Sequence, residues 1–430
     1  MPDPALLKRL EDAVEAAFDR QVAFLADLTR FKSLRGEEAP LQDWMARQLS
    51  ARGYAVDRYT LADVPLEGSR GAAPVMDTDY GRAVQVVAAK RATNPTGRSL
   101  IIQGHVDVVP AGPASMWNTP PFEPVIRDGW MHGRGANDMK AGVSCMVFAA
   151  DALAACGLEP TGDLYLQSVT EEESTGNGAL STLVRGYRAD ACLIPEPTNQ
   201  ALTRAHVGVI WFRLKVLGIP VHVARSETGT NAIVAAYKLI EALQAHTKAE
   251  NERAKSHPRF RALKDPIKFN PGIIRGGDWG SSTPAWCEVD CRIGLLPGDD
   301  LAERRAAIEA TVRQAAAGDG FLANNPPEVI WNGFMADGFV QEEGTEAEAV
   351  LGAVHQQVFG EPMPSRLGTG VNDTRFYGLY YDMPALCYGP KGEGSHAFDE
   401  RTDLASVKRT TLAIAAFIAD WCGVREQAPR

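Results

Sequence analysis

Between about residue 55 and residue 210, short apolar runs alternate with helical stretches, and this alternation limits the possible folds more than any other feature. Residues 84–89, 100–103, 164–169 and 191–194 have the length and composition of buried strands, and 142–155 is apolar for long enough to be a helix. Strands separated by helices imply an α/β sheet covered on its faces, with functional groups gathered at strand ends and in the loops that follow. Upstream, residues 5–32 carry apolar side chains at helical spacing, and 41–52 reads as a second helix ended by Gly53.

The pattern changes after residue 207. Residues 211–217 alternate apolar and charged, as a half-exposed strand does. A helix follows with Ile233, Tyr237, Ile240 and Leu243 on one stripe, then a second alternating strand over 288–295. Asp300 with Glu303 three residues on marks another helix start, and 328–331 a last strand. These elements form a small α+β unit inserted into the first domain. The chain then returns to the α/β pattern, with a strand at 384–388 and a final helix burying Leu404, Val407, Thr411, Ile414 and Ile418. A chain of 430 residues exceeds one ordinary core. The expected organisation is one domain built from 1–207 and 334–430, with 208–333 inserted.

Hydrophobic content of 45% and charged content of 23% are those of a water-soluble globular protein. A net charge of -10 argues against a nucleic-acid or anionic-membrane partner. The seven cysteines are scattered without a CxxC pair, which suggests a reducing compartment and no disulfide framework. There is no signal-peptide-like apolar stretch at the N-terminus and no run of about 18 apolar residues anywhere, so a cytoplasmic protein is expected.

Five segments carry the chemistry. In Gln-Gly-His105-Val-Asp107, an imidazole and a carboxylate two residues apart share one face at the end of a strand. That arrangement suits a metal-ligating histidine oriented by a neighbouring acid. Asp138 lies in a glycine-rich stretch before the 142–155 helix, where it could also be a helix cap. Glu171, Glu172 and Glu173 leave an apolar strand together, a costly placement unless cations or protons neutralise them. Glu196 ends another strand, between two prolines, and His396 sits in a loop before the last helix. Imidazoles and carboxylates without thiolates suit zinc, cobalt or manganese. Two neighbouring ions need a shared carboxylate, and one further carboxylate free of metal would serve as general base.

Taken in order, these segments resemble the aminoacylase, acetylornithine deacetylase, succinyl-diaminopimelate desuccinylase and glutamate-releasing carboxypeptidase family of dinuclear metallohydrolases, with acetylornithine deacetylase-like members nearest. The resemblance spans nearly the whole chain. It implies a zinc-exopeptidase-like catalytic domain, a mixed sheet flanked by helices, with the insert as a ferredoxin-like lid and dimerisation domain. It also implies two divalent metal ions, zinc foremost. His105, Asp138 and Glu196 would surround one ion; Asp138, Glu173 and His396 the other; Asp138 would bridge them. Asp107 would orient His105. The family usually has Asp-Glu-Glu where this chain has three glutamates. The downstream glycine spacing makes Glu172 the base and Glu173 the ligand; a shift by one would give Glu171 and Glu172.

The resemblance further implies a homodimer in which His222 reaches the partner's active site and stabilises an oxyanion; otherwise His222 is a surface histidine at a strand end. Arg375 would clamp a substrate carboxylate, and Arg292 is either a second clamp or a surface charge. Ser281-Ser-Thr283-Pro284 stands where the family often has Asn-Val-Val-Pro, and Ala141 replaces a frequent glycine. The implied reaction is hydrolysis of an N-acyl amino acid or another carboxylate-bearing amide, with carboxypeptidase or dipeptidase activity, or a catalytically dead relative, as alternatives.

Overall fold

The computed structural model describes residues 3–427. Its central sheet has six strands in the spatial order Ala55–Thr60, Val84–Lys90, Leu164–Val169, Leu100–His105, Ala191–Ile194 and Ala385–Cys387. The last four run parallel and the first two pair antiparallel, so the sheet is mixed. Period-2 alternation divides its side chains between two cores. Leu100, Ile102, Leu164 and Leu166 pack beneath the Pro4–Arg30, Ala141–Ala155 and Leu404–Cys422 helices. Ile101, Tyr165 and Cys192 face the other way, against Leu180, Leu183, Phe376 and Tyr377. With both faces covered, the parallel strands are apolar throughout, which is why they stand out in the sequence.

Register brings the chemical segments together. Leu100 lies opposite Leu164 and His105 opposite Val169, while Ile102 lies opposite Leu193. Three adjacent parallel strands therefore end at nearly one level. The Asp107 loop, the glutamate run and Glu196 emerge side by side from the carboxyl edge, where α/β sheets place their sites.

A second sheet of four antiparallel strands has the order Phe269–Gly276, Trp286–Leu295, Gly208–Leu217, Glu328–Ala336. With the Ala232–Ala254 and Leu301–Ala317 helices in sequence between its strands, this is a β-α-β-β-α-β ferredoxin-like unit. It has its own apolar core, including Phe212, Leu214, Leu239, Leu243, Val289 and Ile308.

Several expected elements shift. The 100–103 strand extends to His105, and the 328–331 strand runs on to Ala336. Asp138 does not cap the helix: its backbone (φ -110°, ψ 100°) is not helical, and the regular helix starts at Ala141. The buried stripe of the Ala232–Ala254 helix is Ala232, Ala235, Ala236, Leu239, Ile240 and Leu243, and Tyr237 is 55% exposed rather than buried. The small alanines let the helix lie close to the sheet, which turns Tyr237 and Val234 outward.

Candidate metal centre

His105 is fully buried at the last position of its strand. Its Nδ1 donates to the Asp107 carbonyl at 3.0 Å and lies 3.5 Å from Asp107 Oδ1. A carbonyl only accepts, so Nδ1 carries the hydrogen and Nε2 is the atom left to serve as a ligand. Nε2 faces Asp138 Oδ1 at 3.2 Å, Glu196 Oε1 at 3.7 Å and Glu172 Oε2 at 3.8 Å. On the other side His396 Nε2 lies 3.0 Å from Glu173 Oε1 and 3.7 Å from Asp138 Oδ2. Asp138 thus turns one oxygen to each histidine. Three sets of potential ligands have their donor atoms within 4.8 Å of one another: His105, Asp138 and Glu196; His105, Glu172 and Glu173; Asp138, Glu173 and His396.

The electrostatics are those of a site built for cations. Burial pushes the carboxyls of Glu172 and Glu196 well above the ordinary range, against the pull of His105. Burial alone would depress His105, but the charges of Glu196, Asp107, Asp138 and Glu172 hold it well above the usual histidine value. Glu173 raises His396 to about 9. Burial opposes ionisation of Asp138, yet His105 and His396 keep its carboxyl low. Packed acids of this kind need protons or metals for neutrality. Asp107 Oδ1, buried without a hydrogen-bond partner, adds to that demand, and the donor set of imidazole and carboxylate fits divalent cations.

The run of three glutamates divides clearly. Glu171 is 1% exposed and turns away from the cluster. It accepts from Arg35 Nε and Nη2 at 2.5 and 2.9 Å, from Tyr80 at 3.0 Å and from Thr175 at 2.9 Å. Glu172 and Glu173 line a cleft of about 610 Å³ together with Asp138, Glu196 and His396. Asp107 Oδ2 accepts from the Glu173 amide at 3.0 Å, linking the two segments.

Residues that the sequence reading passed over hold these segments in place. Glu400, fully buried, accepts from the Asn137 and Asp138 amides at 3.0 Å each and pairs with buried Arg134. Gly135 at φ 78° is required beside them, since a Cβ there would meet Val108 Cγ1 at 2.5 Å. The loop after the first helix touches three of the five segments. Phe31 carbonyl accepts from Lys140 at 3.0 Å, Ser33 bonds both Val106 and Val108, and Arg35 pairs with Glu171. Glu38 of the same loop is buried with neither carboxyl oxygen partnered, and burial, then the nearby Asp107, raise it to about 8. Asp373, also buried, accepts from Gln103 at 3.1 Å; burial lifts it to about 6 against the pull of Arg375.

One expected position differs. Arg375 does not line the cleft; it is 1% exposed and donates to the Asn372 and Thr175 carbonyls at 2.9 and 3.1 Å. Its Nη1 and Nη2 secure the loop and are directed away from a substrate in this arrangement. His222 is exposed, away from the cluster, and its Nδ1 accepts from the Ala224 amide at 3.1 Å. Arg292 does line the cleft. It lies opposite Trp211 in register, its Nε is buried without a partner, and burial alone lowers its pKa.

With this fold and this cluster, the chain belongs to the peptidase family M20/M25/M40, whose model matches residues 101–420. It is 30% identical over 81% of its length, and 85% of the relative's, to N-formyl-4-amino-5-aminomethyl-2-methylpyrimidine deformylase of Halalkalibacterium halodurans. It is 29% identical over 90% of its length, and 94% of the relative's, to succinyl-diaminopimelate desuccinylase of Rhodopseudomonas palustris. In fold it is similar to the di-peptidase Dug1p of Saccharomyces cerevisiae, with a TM-score of 0.79, 16% identity and 99% of each chain covered. The chain is a hydrolase of amide carbon–nitrogen bonds. No helix among the described residues is long and apolar enough to cross a membrane.

Proposed function

We propose that the chain hydrolyses the amide bond of a small N-acyl compound bearing a carboxylate, an N-acyl amino acid foremost, at a pair of divalent cations. The observation that carries this reading is Asp138, with one oxygen toward each histidine, beside a buried glutamate in the same cleft. His105, Asp138 and Glu196 would hold one cation, and Asp138, Glu173 and His396 the other. The ligand chemistry favours zinc, with cobalt or manganese also suited. Bound there, the cations would lower the pKa of a water and polarise the amide carbonyl.

The chain's own groups supply the rest. Asp107 orients His105. Glu172 takes the proton of the attacking water and returns it to the departing nitrogen. Arg292 grips the substrate carboxylate from the second sheet, and its unpartnered Nε supports that role. The volume of the cleft supports a small substrate over a polypeptide.

His222 would reach the site of a partner subunit and stabilise the oxyanion there, so the active form is a homodimer. Val234 and Tyr237 on the long helix, and Ile273 and Ile274 on the edge strand beside it, are exposed and support an interface on that face. Tyr237→Glu should yield monomers in sedimentation analysis and reduce kcat by about 100-fold or more through loss of His222; a fully active monomer would exclude the arrangement. Free, mostly buried thiols support a cytoplasmic setting.

The reading is tested on protein loaded with zinc or cobalt, against N-formyl, N-acetyl and N-succinyl amino acids and dipeptides. Hydrolysis of an N-acyl amino acid that stops with chelator and returns with metal is the expected result. Cleavage of dipeptides alone would assign a dipeptidase, and binding of metal without any hydrolysis a catalytically dead relative.

A further inference from the structure

Two arginines line the cleft without a counter-charge. Arg292 comes from the second sheet. Arg366 comes from the Ser365–Gly368 strand, where it lies in register with Thr203, another residue of the wall. Among the described residues no hydrogen bond or ion pair holds the Arg366 guanidinium. Arg292 is flanked by Trp211, whose ring meets Phe334 edge-on at 5.2 Å, so its surroundings in the cleft are largely apolar.

Neither guanidinium has a partner among the described residues, and the carboxylate of an N-acyl amino acid satisfies only one of them. We propose that Arg366 is a specificity-determining residue that reads a second anionic group, so that the preferred substrates are dianionic N-acyl compounds. This rests on the amidohydrolase reading above. The second charge would be the side chain of an acidic amino acid or the free carboxylate of a dicarboxylic acyl group. An exposed arginine gains little from a charge in open water, but a substrate seated in the cleft excludes water and lets the planar fork take a carboxylate in two hydrogen bonds.

The test compares kcat/KM of the metal-loaded wild type and Arg366→Gln on N-acetyl-L-glutamate, N-succinyl-L-alanine and N-acetyl-L-alanine. The wild type should prefer at least one of the two dianionic compounds by roughly tenfold or more, and which one locates the second charge. Arg366→Gln should lower that preference by about tenfold, mainly through KM, and Arg366→Glu should lower it further. No preference in the wild type, or an equal loss on all three compounds, overturns the proposal. Calorimetry separates it from the parent reading. Glutarate should bind the wild type more tightly than butyrate, and Arg366→Gln should lose that advantage, whether or not any of the amides is cleaved. Equal binding of the two acids overturns the proposal by itself; absence of hydrolysis with the binding difference intact overturns only the amidohydrolase reading.

Discussion

Glu172→Gln is expected to keep both metals and lose turnover by about 10³-fold. Glutamine preserves the shape and the burial of the side chain but cannot accept a proton from water. It also removes one negative charge from a cluster in which burial already disfavours ionisation of Glu172, so the fold should tolerate it. Metal content by elemental analysis and kcat on the best amide check the two halves of the expectation. Full activity would remove Glu172 from the chemistry. Glu171→Gln is the matched control for the one-residue shift in the glutamate run. It should weaken the pair with Arg35 and lower thermal stability, while leaving most of the turnover.

Asp138→Asn should have the broader effect, loss of both cations together. The two oxygens of Asp138 face different histidines, and an amide offers only one oxygen and places N–H donors where the other cation would sit. Metal content should fall for both sites, and activity by at least about 10³-fold, since the Lewis-acid contribution is worth several kcal/mol. The fold should survive, because the backbone amide of residue 138 still donates to Glu400. Retention of one full equivalent of tightly bound metal would show that the carboxylate is not shared.

The segments that bear the clustered acids and histidines were legible because each follows a feature that the sequence displays locally. A run such as Leu100-Ile101-Ile102 announces a strand, and His105 and Asp107 come at its end with period-2 spacing. Glycines around Asp138 and prolines around Glu196 mark the turns that expose those acids. The inserted α+β unit was legible from its alternating strands, whereas its fourth strand, Phe269–Gly276, was not, because as an edge strand with both faces largely exposed it shows no apolar alternation. What stayed hidden depends on distant pairing. Arg35 and Glu171 are 136 positions apart and Arg134 and Glu400 266 apart, and each alone reads as a solvated surface charge. Arg375 carried the right chemistry in the right loop, but only packing shows its fork spent on backbone carbonyls. Tyr237 fell on an apolar stripe by spacing, and the alanines on the neighbouring stripe decided which side met the sheet.

The loop at Phe31 to Glu38 carries none of the proposed ligands, yet it backs the segments that bear Asp107, Asp138 and the three glutamates. A fragment trimmed to the recognisable family region, starting at residue 101, would retain all five proposed ligands and the proposed base. It would leave Glu171 buried without its cation and the Lys140 ammonium without the carbonyl that receives it. The minimal working unit of this enzyme therefore begins well upstream of the first residue of its acidic cluster.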